Sequence, residues 1–357
     1  MSISYEHKLD TLLERFNFNF TKSQIKQVFD TVARSKDDFK ANVLAVVSSN
    51  QDLQNKINEL GLLALQLDTR QVEVFNISDS SVQSALNSLF STIQLTNEQS
   101  IINAFPFPIE NKTQLERLKT GTIYPVKSDI IVMGTNTYSR LIVCTVVDKE
   151  IEEVAQPAHL SQVGQQLLNL NTTFTMKRKV RTQLFHVVYW SIALSRLILS
   201  VDRNMMSIYA CQDQLFMLRQ FLMSKGVDSG NAINVFGAIE PLYNAVDGYV
   251  TKLGHVTTDG NPVRIPLRSK QKCLKHDHYH QAGEVGGHVH AKFAVAKKWE
   301  FKSAGTNRVE NIEVGLMGQP KMLDTAQPLT DFSINKSMRL EDFNFAIDRV
   351  LSLIPNP

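Results

Sequence analysis

The spacing of apolar residues along this chain changes once, near residue 105, and the change limits the folds open to it. Before that point apolar side chains recur three and four positions apart, as on a helix face; after it they form short β-branched runs or alternate. Leu9, Leu12 and Leu13 make an amphipathic helix from Tyr5 to Phe16. Thr21-x-x-Gln24 reads as a capping box that opens a second helix through Ile25, Val28, Phe29 and Val32. Ser35-x-x-Asp38 opens a third, and Asn50 can cap a fourth through Leu53, Ile57 and Leu60. Val72-Glu-Val74 predicts a short strand, and Ser80 and Thr96 start two further helices that end near Ala104. The segment Phe105-Pro-Phe-Pro-Ile-Glu-Asn then breaks helix. The expected architecture is α+β: an N-terminal helical domain over residues 1–107, then a domain over 108–357 with an antiparallel sheet and packed helices.

In the second part, Asp129 to Met133, Arg140 to Val147 and Thr172 to Arg181 read as strands. Leu184 to Val201 is a strand or a buried helix, since a short apolar run does not fix its own period. Met205 to Ser224 and Ala232 to Leu253 read as helices that stop at Gly226 and Gly254. Asp259-Gly260 is a hairpin turn, followed by strands at Pro262 to Lys272, Lys275 to His280, His288 to Phe301 and Arg308 to Leu316. An amphipathic helix from Met338 to Ile354 closes the pattern.

Composition excludes some classes. Hydrophobic residues make up 43% and charged residues 20%, a globular profile with no tract of the kind that stays unfolded. The N-terminus lacks the basic and apolar regions of a secretory signal, and Leu184 to Val201 is broken by His186, Ser191, Ser195 and Arg196, so no membrane span is expected. Cys144, Cys211 and Cys273 are odd in number and form no CxxC pair, which predicts a reducing, cytoplasmic setting. Glycine-rich phosphate loops, GxSxG elbows and HExxH are absent.

Charge is concentrated. Net charge is +3, yet Lys252 to Arg308 alone holds 11 basic and 4 acidic residues, together with six of the nine histidines. In the strands predicted there, Val263, Ile265 and Leu267 fall on one parity and Arg264, Arg268, Lys270 and Lys272 on the other. The later strand repeats this, with Phe293, Val295 and Trp299 against His288, His290, Lys292 and Lys298. His276, His278 and His280 share the even parity, so five imidazoles are expected on one cationic sheet face.

Such a face suits a polyanion, because Lys and Arg side chains release counterions from a phosphate backbone. The expected partner is nucleic acid, contacted by Arg264, Arg268, Lys270, Lys272, Lys292 and Lys298, with the run Lys177-Arg178-Lys179 as a second contact. No cofactor is required by that reading. A divalent metal is the alternative, since His-x-His on paired strands can supply several nitrogen ligands from His276, His278, His280, His288 and His290. That alternative would make the chain a hydrolase or nuclease. His290-Ala-Lys292 with Gly305-Thr-Asn307 resembles the HxK and GSxN elements of phospholipase D-type nucleases, over fewer than twenty residues and without a second HxK copy. Arg181 and His186 match the RxxxxH spacing of HEPN ribonucleases, in which the pair lies on a helix. A third expectation is an assembly protein that forms homo-oligomers, or meets a protein partner, through its N-terminal helices.

Overall fold

Three short polar side chains fix the start of the chain. Asn17 accepts from the Phe20 amide at 2.8 Å, Ser35 from the Asp38 amide at 3.1 Å and Asn50 from the Leu53 amide at 3.0 Å, each satisfying a donor that a helix N-terminus leaves unpaired. The computed structural model describes residues 3–168, 173–204, 206–268, 272–302 and 309–355. Its helices are α1 (Tyr5–Arg15), α2 (Phe18–Ile25), α3 (Lys36–Val46), α4 (Gln51–Ala64), α5 (Ser80–Thr92), α6 (Gln99–Ala104), α7 (Lys112–Arg117), α8 (Gln162–Leu168), α9 (Ile208–Ser224), α10 (Ile239–Asn244), α11 (His278–Val285) and α12 (Leu340–Leu351). Its strands are β1 (Asp68–Asn76), β2 (Tyr124–Met133), β3 (Asn136–Val154), β4 (Thr175–Ser191), β5 (Arg196–Asp202), β6 (Tyr249–Val256), β7 (Pro262–Pro266), β8 (Lys292–Lys302), β9 (Val309–Met317) and β10 (Asp331–Ser337).

These strands form one antiparallel sheet in the order β2-β3-β4-β5-β1-β10-β9-β8-β6-β7. The class is α+β, with helices leading and the sheet following. The strand that the first 107 residues supply, β1, lies inside the sheet between β5 and β10. Phe107, in the helix-breaking segment, is fully buried, and its ring occupies the place that a side chain on Gly61 of α4 would need.

The two faces of the sheet differ. One packs Val72, Val74, Tyr189, Val314, Phe332 and Ile334 against α1 to α4 and α12 in a single large core. The other is covered over β3, β4, β5 and the end of β1, where Leu141, Val143, Val188, Trp190 and Leu199 meet Leu86 of α5 and Leu215 and Leu218 of α9. Farther along, β10 and β9 turn Asp331, Ser333, Asn335, Glu313 and Gly315 to that second face in place of apolar residues.

Several sequence expectations are corrected. The second helix ends at Ile25, and Val32 is exposed, so its apolar stripe does not continue as one buried face. Ala232 to Leu253 is not one helix: a 3-10 turn at Phe236–Ala238 leads into α10, which ends at Asn244, and β6 begins at Tyr249, directly after Gly248 at φ 70°. Gly254 is not a helix cap but a mid-strand residue, where a Cβ would stand 2.7 Å from the Phe293 ring. Leu184 to Val201 is a β4–β5 hairpin that turns at Ser195, whose φ is 48°. Strand β7 stops at Pro266, six residues short of expectation. The largest correction concerns the histidines. Lys275 to His280 is not a strand: a 3-10 turn covers Leu274–His276, and Asp277 caps α11 by accepting from the His280 amide at 3.1 Å.

Candidate nucleic-acid interface

The helical turn at Asp277 disperses the imidazoles. His276, His278, His288 and His290 are exposed, whereas His280 is buried and faces inward. Its Nε2 lies 2.8 Å from the Tyr243 hydroxyl, which also donates to Glu284. Burial, and then the Glu284 carboxylate, push the Tyr243 phenol well above its usual range. Burial also lowers the pKa of His280 and of nearby His255, for which the His280 and Lys292 charges add to the effect. Among the described residues no three His, Cys, Asp or Glu side chains are grouped as a metal ion would require. The expectation of five imidazoles on one face therefore fails, because strand parity does not apply to α11.

Arg181 and His186 do not act together either. They stand five residues apart on β4 and so on opposite faces. Arg181 is paired with Asp148 at 2.8 Å and donates to the Glu116 carbonyl at 2.7 Å. His186 is fully buried, with Nε2 at 3.0 Å from Gln214 Oε1, and its Nδ1 accepts from the Asp202 amide at 3.2 Å. Burial first, and then the Arg70 charge, lower its pKa to about 4, so it is a neutral core residue. Arg70 itself, also fully buried, donates to Ser200 Oγ and to the carbonyls of Leu65, Phe185 and Ser200.

Most cations in the expected phosphate-binding set have carboxylate partners. Lys272 and Lys298 both reach Glu300, at 3.1 and 3.5 Å, and Lys292 reaches Glu240 at 3.0 Å. In the ribbon formed by β3 and β4, Lys177 meets Glu150 at 3.1 Å and Arg178 meets Glu153 at 2.7 Å; Lys179 is exposed. Lys270 and the Gly305-Thr-Asn307 segment lie outside the described residues. Arg264 and Arg268 are exposed and have no carboxylate partner among the described residues. No protein-family model matches the chain, and no curated protein matches it in sequence.

Arg264 leads to the surface that sequence reading misses. It stacks over the Phe293 ring at 5.2 Å, donates to the Gly318 carbonyl at 3.1 Å and lines a groove on the second sheet face. That groove has a volume of about 470 Å³ and adjoins an open shelf of about 700 Å³, both bordered by Arg203, Arg264, Gly315, Met317 and Ser333. Lys252 and Lys336 stand on the shelf, where Glu313 lies 3.6 Å from Lys252. The floor is low because Ala296, Gly315 and Ser333, all small, fall in one cross-strand row. Gln71 and Asp331 lie at the bottom of the groove, with Gln212 of α9 beside them. Their sequence signal is faint: a Gln and a Glu flank Val72 in an apolar strand, and β10 has too few apolar alternations to be recognised.

Proposed function

We propose that the protein binds nucleic acid, in single-stranded form, across the second face of β10, β9, β8, β6 and β7, with Arg203, Lys252, Arg264 and Lys336 as phosphate contacts and Arg268 at the margin. The observation that carries this reading is the contrast in pairing. In the basic window Lys272 and Lys298 are matched to Glu300, Lys292 to Glu240 and Lys297 to Asp247, whereas Arg203, Arg264 and Lys336 have no carboxylate partner among the described residues and line the groove and its shelf. Unmatched cations around a concave polar surface favour a phosphate backbone, and exposed polar side chains within it suit splayed bases better than a closed duplex. Tyr209, 73% exposed on the groove wall, offers a stacking surface.

The test is fluorescence anisotropy with labelled single-stranded oligonucleotides at a series of salt concentrations. Four phosphate contacts predict a slope of about −3 in log K against log salt. The double charge reversal Arg203→Glu with Arg264→Glu should weaken binding at least ~100-fold, on the order of one to two kcal/mol for each cation replaced by a repelling carboxylate. Affinity indifferent to both salt and reversal sinks the reading. A hydrolase built on the histidines has a narrower base, the buried Tyr243 and His280 with the exposed Glu284. Labelled oligonucleotide that stays intact with and without added divalent metal counts against it.

A further inference from the structure

We propose that the floor of the groove reads guanine, through Asp331 and the Gln71 carbonyl, while Arg203 and Arg264 hold the adjoining phosphate. This inference rests on the nucleic-acid reading and gives it a base preference. Gln71 is 5% exposed, and its amide nitrogen donates to Asp331 Oδ2 at 2.7 Å, which fixes the orientation of the amide. Its carbonyl oxygen, Oε1, is buried and accepts no hydrogen bond. Asp331, 6% exposed, takes a second, longer contact from the Gln212 amide at 3.4 Å and keeps spare acceptor capacity on both oxygens. A buried acceptor without a donor is costly, so a ligand that brings donors there is favoured.

The groove thus presents adjacent acceptors and asks for adjacent donors. Guanine alone among the common bases carries two neighbouring N–H donors on one edge, at N1 and at the N2 amino group. Adenine and cytosine each pair one amino group with a ring acceptor, and uracil places a single N–H between two carbonyls. A lysine or arginine side chain also carries donors, but Arg203 and Arg264 line the same groove and repel a cation. The remaining walls fit a base with its sugar and phosphate. Met317 and Met322 are apolar, Tyr209 offers its ring, and about 470 Å³ falls within the usual range for a small-ligand site, roughly 300–1,000 Å³.

The experiment compares ten-nucleotide uridine oligomers that carry one central guanosine, inosine or adenosine, or no substitution, at one fixed ionic strength. Inosine lacks only the N2 amino group. Guanosine should bind tightest, with inosine and adenosine at least ~10-fold weaker, the usual discrimination of a two-bond base contact. Asp331→Asn, with a native far-ultraviolet circular dichroism spectrum to demonstrate that the variant is folded, should bind the guanosine, inosine and adenosine oligomers with equal affinity. Equal affinity for all four oligomers, or a preference for adenosine, overturns the guanine inference and leaves salt-dependent binding intact. Failure of every oligomer to bind overturns both readings. The inosine comparison uses the unaltered protein, so the result does not depend on any variant folding.

Discussion

Glu73 and Asp331 stand directly opposite one another where β1 pairs with β10, and both carboxylates are nearly buried. Burial first, and Asp331 after the opposing pull of Arg219, push Glu73 up to about 7. Its folded-state pKa therefore exceeds the value of 4.5 it has when exposed. For a raised carboxyl the stabilising contribution is complete below pH 4.5 and is lost as pH rises through 7, a change of about 3 kcal/mol for a shift of this size. Glu73→Gln should accordingly stabilise the protein at about pH 8 and have little effect at about pH 5. Urea midpoints at those two pH values check this, and equal effects at both would refute it.

His186 works in the opposite direction. Its pKa is lowered from 6.5 to about 4, so its contribution is complete above pH 6.5 and is lost, by about 3 kcal/mol, as pH falls towards 4. Between about pH 6.5 and 4.5 the two groups offset each other in the native protein. In Glu73→Gln the loss at His186 is uncovered, so stability should fall clearly on acidification across that range. Thermal unfolding of the native protein and the variant at both ends of the range measures the difference. A variant as insensitive to acid as the native protein would exclude the offset.

The ribbon of β3 and β4 gives a contrasting case. Its register sets Asp148 against Arg181 and Glu152 against Lys177, so the basic run is neutralised by an acidic run on the neighbouring strand. Reversing Lys177 and Arg178 to Glu should therefore leave oligonucleotide affinity within about two-fold, since exposed pairs of this kind contribute only about 0–1 kcal/mol. It should also loosen the ribbon, seen as faster hydrogen exchange over 148–153. A large loss of affinity would return the ribbon to the binding surface.

How far the sequence discloses this molecule depends on how local each signal is. Ser35 and Asn50 cap the helices they announce, and Gly260, at φ 82°, makes the turn between β6 and β7 that Asp259-Gly260 predicts, because a cap or turn needs only its own few residues. The histidine segment misleads because two local patterns compete there. Alternating His278 and His280 suggest a strand, but Asp277 as a cap and Gly287, at φ 72°, beyond the last turn specify the short helix between them. The groove is not local at all. Gln71, Arg203, Arg264 and Asp331 come from four separated strands, strand ends and loops, and only the order of strands in the sheet brings them together.

That order also has a consequence in time. Asp68 at the start of β1 pairs with Ser337 in β10, 269 residues later. At a synthesis rate of about 5–20 residues per second, β1 leaves the ribosome roughly fifteen to fifty seconds before its second neighbour exists. During that interval β5 can occupy one side of it, and the other side is an open row of amides and carbonyls of the kind that recruits stray strands. The newborn chain is most vulnerable to aggregation at the strand that becomes one of the best protected in the finished sheet.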